Sequence, residues 1–502
     1  MRRELAVLAA AFVITLPLIT PRIYASDEVQ YFSYLRSLWF DHDVSFENEY
    51  QHFWDAGVAR SQGFHETYLE RQTETGRRIS FATIGAAILW SPFYAVADGL
   101  VGVGLAGGGI RDGYGPAYVR AVAFGSAVYG WLAIVLGWAL AHRLGLGRGA
   151  LAAALAVWFG TPLIFYMYIA PPMAHACQAF AVAAFLFLWL SVRERWTIGG
   201  GVALGAAAAL MVMVREQDLL IAVAPALDWA LAWWRAPEDT LGPPRRRLAG
   251  HALAGLAAFA IGYAPQLWAY QALNGYPFPS RLVVRKLNWL APHAFAVVAS
   301  PEHGLVFWTP LALLAIIGLA AGVAGWFGWA ARPTLTRRRE SASTPWLALC
   351  FLIAVASQIY VAGSVESWTV AGAFGQRRFV GLSAVFLVGL AGLWPITDRR
   401  GDGPRGNRGP ARMRLAVIAL FALGTWWNLG LMAQFGGGLM DRQRLTLADN
   451  AYHTFVTVPR RLPELVYRYV FARHSFYAPA PPTAPAAPTS PAPASPAPPT
   501  PQ

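Results

Sequence analysis

Residues 1–28 read MRRELAVLAAAFVITLPLITPRIYASDE. Arg2 and Arg3 precede an apolar run from Leu5 to Ile19, and the acidic pair Asp27-Glu28 follows soon after it. Basic residues ahead of an apolar helix hold that end in the cytoplasm. The first helix therefore reads as an outward crossing that delivers two carboxylates to the far surface of a bilayer. The segment is also signal-like, with a weak cleavage pattern at Tyr24-Ala25-Ser26. Pro21-Arg22 is unusual before a cleavage point and many apolar runs follow, so the helix is read as retained.

The rest of the chain repeats this pattern. Its 502 residues are 56% hydrophobic and only 13% charged, where soluble chains carry about a quarter charged. Apolar runs of roughly twenty residues recur, enough to span ~30 Å as helix. Many of the 21 Trp and 19 Tyr stand at the ends of these runs, in the headgroup position. The net charge of +13 does not indicate nucleic acid, because the arginines cluster in short loops between the runs. Cys177 and Cys350 lie in or beside apolar runs and read as core residues, with no disulfide or Cys/His metal pattern.

Six basic clusters set the orientation: Arg2-Arg3, His142–Arg148, Arg193–Arg195, Arg235–Arg247, Arg332–Arg339 and Arg399–Arg414. All fit on the cytoplasmic side. Crossings then follow at Gly149–Ala170, Met173–Val192, Thr197–Val214, Leu219–Trp234 and His251–Ala272. Four more follow at Phe307–Ala331, Trp346–Gly363, Phe379–Trp394 and Arg414–Ala433. Ahead of His142 stand three runs, Leu5–Ile23, Phe81–Leu105 and Ala117–Ala141, of which parity lets only two cross. Phe81–Leu105 holds Pro92, Asp98 and several glycines, and is expected to lie on the outer face or re-enter.

The expected fold is all-α and polytopic, with about eleven transmembrane helices. The expected location is the plasma (inner) membrane, with a cytoplasmic N-terminus and an extracytoplasmic C-terminus. Residues 1–435 form the transmembrane domain, within which 25–116 are a long first extracytoplasmic loop with in-plane helices. Residues 436–477 form a small extracytoplasmic segment, and the Pro/Ala-rich tail 478–502 is expected to be disordered. In the first loop, Tyr31, Phe32, Leu35, Leu38 and Trp39 share one helical face, and Gln30, Ser33 and Ser37 another. Such a helix lies in the interface plane or packs on other loop segments.

Asp27 and Glu28 sit where burial and a nearby anion raise a pKa toward neutrality, so one suits a base and the other an orienting or cation-binding role. Ser26-Asp27-Glu28 opening a helix reads equally as an N-terminal cap. The other loop acids, Asp41, Asp43, Glu47, Glu49 and Asp55, are expected to be mostly solvated. Several basic residues break the positive-inside pattern. Arg377-Arg378 follow Phe374-Gly375-Gln376, Arg281, Arg285 and Lys286 lie in another outer loop, and Arg215 stands beside Glu216, Gln217 and Asp218. Outward arginines suit an anionic ligand, phosphate above all, or pairing with local acids such as Glu366 and Glu216. His175 faces the same side as Asp27, as a hydrogen-bonded interface residue or a ligand. No Walker loop, HExxH, G-x-S-x-G or Rossmann fingerprint is present.

The motifs Ala25-Ser26-Asp27-Glu28, Ile84–Phe93 and Phe374-Gly375-Gln376-Arg377-Arg378-Phe379 join this topology over residues 1–435. Together they resemble the GT-C superfamily, membrane glycosyltransferases that use polyprenyl-phosphate sugars. Protein O-mannosyltransferases and lipid A aminoarabinose transferases are relatives. The resemblance implies that Asp27, with Glu28 beside it, is catalytic and that Arg377, Arg378 and Arg215 hold the donor phosphate. His175, Gln217 and Lys286 are further site candidates. It implies inverting transfer of a hexose or pentose to a hydroxyl of a lipid, glycan or protein acceptor of the cell envelope. The sequence requires no cofactor. A divalent metal is left open, since relatives often carry an acid in the second outer loop, where this chain has His175. The rival readings are a transporter and a lipid-carrier protein without catalysis. Few charges in the central spans and no clear internal repeat weigh against the first, and only Asp27-Glu28 against the second.

Overall fold

The computed structural model describes residues 1–106, 110–236, 243–326, 344–394 and 408–476. The Arg332–Arg339 cluster, parts of Arg235–Arg247 and Arg399–Arg414, and the tail 478–502 lie outside the described residues. The chain opens with α1 (Arg2–Thr15), α2 (Ser26–Arg36), α3 (Glu47–Asp55) and α4 (Gly85–Gly102). Next come α5 (Pro116–Arg143), α6 (Gly147–Gly160), α7 (Leu163–Tyr168) and α8 (His175–Val192). Then follow α9 (Ile198–Val214), α10 (Val223–Arg235), α11 (Pro243–Asn274) and α12 (Pro310–Val323). The last are α13 (Thr344–Ser364), α14 (Ser383–Gly392), α15 (Arg408–Gly437) and α16 (Val458–Phe471). Among the described residues no strand forms, only the isolated bridges Gln72–Arg78 and Leu287–Val365.

Helices α5, α8, α11, α13 and α15 are long and apolar enough to cross a bilayer, and α6, α9 and α12 are shorter apolar helices. Leu253, Leu256 and Ile261 of α11, with Leu415 and Leu423 of α15, are each more than half exposed. Bands of this kind are not stable against water and call for hydrocarbon around them. The chain is a helical membrane protein. Where α9 and α11 cross, a Cβ on Gly201 would stand 2.2 Å from the His251 carbonyl oxygen, and one on Gly205 2.0 Å from that of Gly255. The backbones meet there only because both positions are glycine.

Several expected continuous spans are broken. Gly149–Ala170 divides into α6 and α7 at Thr161-Pro162, where proline supplies no N–H. Asn428 of α15 repairs the break by donating from Nδ2 to the carbonyls of Phe159 and Thr161, each at 3.1 Å. A break at membrane depth needs such a partner. Leu219–Trp234 opens within a 3₁₀ turn, Glu216–Ala222, and the Phe379–Trp394 span within another, Arg377–Leu382. Phe307–Ala331 begins as the short helix Leu305–Trp308 before α12, and its end lies outside the described residues.

The first loop is a packed body. α5 has 28 residues, about 42 Å of helix, so it outruns its neighbours. α4, from the Phe81–Leu105 run, packs antiparallel along the N-terminal half of α5. Trp90 donates to Ser126 Oγ at 2.8 Å, and the Tyr118 hydroxyl donates to Asp98 at 2.9 Å. The start of α4 meets the ends of α9 and α11, with Thr83 donating to the Val214 carbonyl and the Ile84 N–H to Gln266. Of the two readings of α2, the structure shows packing on other loop segments: Gln30, Ser33 and Ser37 of its polar face are buried. Gln30 donates to the Tyr68 hydroxyl at 2.9 Å and accepts from the Phe81 N–H at 2.7 Å. α2 is therefore the centre of the loop's own core, packed on other loop segments. Glu49, expected to be solvated, is fully buried and paired with Arg36 at 3.0 Å; burial pushes it up to about 7.

At the other end of the chain, α16 returns to the first helix. Tyr469 donates to the Leu18 carbonyl at 2.7 Å, and Arg473 to those of Ile19 at 2.6 Å and Pro17 at 2.7 Å.

Candidate active site

Asp27 occupies the first turn of α2, and its Oδ2 accepts a hydrogen bond from Arg377 Nη1 at 2.7 Å. Its side chain is 38% accessible although protein surrounds it, so the carboxylate faces a recess. Removal from water raises its proton affinity, but the charge and hydrogen bond of Arg377, then the charges of Arg215 and Arg378, outweigh that. The net effect holds Asp27 below the usual carboxylate range, ionised at neutral pH.

The aim of Arg377 follows from the residues before it. Phe374 stacks on Phe165 with centroids 4.8 Å apart, and its carbonyl accepts from the Tyr166 hydroxyl at 2.9 Å. Gly375 turns with φ +63°, and a Cβ there would lie 2.5 Å from Pro162. Only glycine combines that φ with that contact. Gln376 is buried and donates to the carbonyls of His303 at 3.1 Å and Trp368 at 3.0 Å. The next residue, Arg377, is thereby turned toward α2.

The Glu216–Ala222 turn supplies the opposite wall. Gln217 donates to the Arg378 carbonyl at 2.8 Å, and Gln358 of α13 donates to the Gln217 carbonyl at 3.0 Å. Arg215 Nη1 is 3.5 Å from His175 Nδ1, and Gln178 Oε1 is 3.4 Å from the same nitrogen. Both contacts lie at the long limit of a hydrogen bond. Gln178 also donates to Asp218 at 2.9 Å, while Glu216 accepts from Tyr263 and Tyr270 at 3.0 and 2.7 Å. Arg378 donates to the Ser367 carbonyl at 3.2 Å. Burial, then the charges of Arg215 and Arg377, lowers its pKa, yet a guanidinium stays charged at neutral pH. The recess thus gathers three guanidinium groups around one ionised carboxylate, a field that attracts an anion.

Glu28 is placed differently from its neighbour. It is fully buried, and its Oε2 accepts from the N–H groups of Tyr24 at 2.7 Å and Ala25 at 3.1 Å. This is the helix-capping arrangement. Burial raises its pKa to about 8. Lys286 stands apart from the Asp27 cluster: its side chain is exposed and its carbonyl accepts from the Glu366 N–H at 2.8 Å. Arg281 pairs with Glu74 at 3.0 Å. Among the described residues no three His, Cys, Asp or Glu side chains converge as a metal site. A cation at Asp27 would also face Arg377, Arg215 and Arg378, so the donor set there does not fit a divalent metal.

No family model matches the sequence, and no curated protein matches it. Solved structures are similar to it. ArnT from Cupriavidus metallidurans bound to undecaprenyl phosphate aligns with TM-score 0.47 and 14% identity, over 94% of this chain and 77% of that one. The apo oligosaccharyltransferase of Archaeoglobus fulgidus aligns with TM-score 0.44 and 13% identity, over 86% of this chain and 58% of that one. Both scores are below 0.5, so the chemistry rests on the residues themselves.

Four residues of the recess escaped the sequence reading: Tyr166, Gln178, Gln358 and the supporting role of Gln376. Gln178 and Gln358 carry a usable signal, since an amide inside an otherwise apolar span must find a partner. Tyr166 lies in the aromatic run Phe165-Tyr166-Met167-Tyr168, where nothing in the sequence separates it from its neighbours.

Proposed function

We propose that the chain is an inverting membrane glycosyltransferase that moves a sugar from a polyprenyl-phosphate donor to an acceptor hydroxyl on the extracytoplasmic side. The observation that carries this reading is the Asp27–Arg377 pair at 2.7 Å, with Arg215 and Arg378 beside it. Asp27 takes the proton of the acceptor hydroxyl as that oxygen forms a bond to the anomeric carbon. The bond from that carbon to the phosphate oxygen breaks, and its electron pair leaves with the lipid phosphate. Arg377, Arg378 and Arg215 stabilise the charge that grows there.

The pairing also orders the events. While Asp27 holds Arg377 it is a weak base. A donor phosphate competing for the guanidinium groups withdraws that stabilisation and raises the proton affinity of Asp27. The base is thus strengthened by arrival of the donor. The donor is already in the bilayer, so no nucleotide-binding fold is needed. The reading is tested with the purified chain, a polyprenyl-phosphate sugar and extracted envelope lipids, by measuring released polyprenyl phosphate. Release with Asp27→Asn equal to that of the unaltered chain would overturn it.

A further inference from the structure

A cavity of about 570 Å³ is lined on one wall by Ile164, Phe165 and Tyr168 of α7. Its walls include Phe165 of α7, Met432 of α15 and Leu465 of α16, and Arg22, Arg442 and Tyr24 also line it. Its volume falls in the range of small-molecule sites, and its lining is mostly apolar. Neighbouring side chains divide the two chambers: Tyr166 packs on His175 with centroids 4.4 Å apart, while Phe165 faces the cavity. Tyr24 connects them, because it stands three positions before Asp27, at most about 11 Å of chain.

We propose that this cavity is the acceptor site and that the acceptor is a lipid with a long alkyl chain, an anionic group and a free hydroxyl. This rests on the transferase reading. The apolar walls take the chain, Arg22 and Arg442 attract the anionic group, and the hydroxyl extends past Tyr24 to Asp27. Donor and acceptor then occupy separate chambers: the donor phosphate lies at Arg377, Arg378 and Arg215, and the nucleophile arrives from the cavity past Tyr24. A soluble glycan or a peptide acceptor would have no use for an apolar chamber of this size beside the base.

The test uses the full chain in phosphatidylcholine nanodiscs and a phosphatidylglycerol bearing a diazirine in one acyl chain. Photolysis should label peptides covering residues 429–436 and 462–470. Ala433→Trp, which fills the cavity from α15, should lower that labelling about tenfold, and Leu465→Trp, from the opposite wall, should do the same. Thermal melting identifies any variant that fails to fold. Arg22→Gln combined with Arg442→Gln should reduce phosphatidylglycerol labelling to that of a diazirine phosphatidylcholine. Excess undecaprenyl phosphate should leave the labelling unchanged. Displacement by undecaprenyl phosphate would give the cavity to the donor chain and overturn the proposal. Equal labelling by the two phospholipids, or labelling indifferent to both Trp variants, would also overturn it. Because the readout is binding, failure of the transferase reading would show separately as absent turnover.

Discussion

Asp27 and Arg377 are 350 positions apart in the chain and 2.7 Å apart in space. One ends the connection from the first helix, and the other opens a turn before α14, so the pair exists only when most of the bundle is assembled. Both side chains are partly accessible, at 38% and 19%, and such a pair adds little to stability.

Asp27→Asn follows directly. It keeps the size and most of the hydrogen bonding of Asp27 but removes its proton affinity. Turnover should fall by roughly a hundredfold or more while expression and melting temperature hold. Near-normal transfer would move the base elsewhere.

Arg377→Lys keeps the charge but loses the planar fork that suits phosphate. Donor affinity should weaken, and Arg377→Ala with Arg378→Ala should abolish donor binding with little change in melting temperature. Binding of a polyprenyl-phosphate sugar and thermal stability, measured side by side in detergent, decide the matter. Unchanged affinity with a lowered melting point would make these arginines braces.

Gly375→Ala tests the turn itself. A side chain at φ +63° and against Pro162 costs about 1–3 kcal/mol. The strain is relieved by moving the turn, and Arg377 moves with it. Loss of turnover larger than the loss of stability is expected from paired kinetic and melting measurements.

Glu28 predicts a pH dependence of stability. Its pKa is raised in the folded chain, from 4.5 to about 8, so the native state binds a proton that the unfolded state has released across this range. Stability should therefore be highest below about pH 4.5 and decline as pH rises through 8. Glu49, raised to about 7, adds to the same slope. Glu28→Gln should flatten the decline of the melting temperature between pH 5 and 8. An equally steep decline in that variant would show that Glu28 is not the titrating group.

Topology is open to a labelling experiment. Single cysteines at Gly107, Ser367 and Thr483 of a cysteine-free chain should react with an impermeant reagent from outside, and those at Gly242 and Gly403 should not. Outside labelling at Gly242 would mean that the Phe81–Leu105 run crosses the bilayer.

Asp27 and Arg377-Arg378 were legible because each is a charge in the wrong place: an acid at a membrane mouth, and basic residues against the positive-inside pattern. Gln178 and Gln358 stand out as amides inside apolar spans, but the groups they bind, Asp218 and the Gln217 carbonyl, cannot be read from the sequence. The break at Thr161-Pro162 escaped because its partner, Asn428, lies far along the chain. The two-faced pattern of α2 fits a helix in the interface plane as well as one packed on other loop segments. Its polar side is covered by Tyr68 and the Phe81 backbone, partners that a helical periodicity cannot reveal.

The bonds from Tyr469 and Arg473 to residues 17–20 tie the last described helix to the outlet of the first. In a chain inserted from its N-terminus, residues 17–20 are made long before the segment that holds them. A ribosome that stopped before residue 458 would leave every apolar helix in the bilayer yet release a protein whose entry to α2 is untethered. Quality control that samples the chain late in translation would therefore be inspecting the entry to α2 through a segment far along the polypeptide.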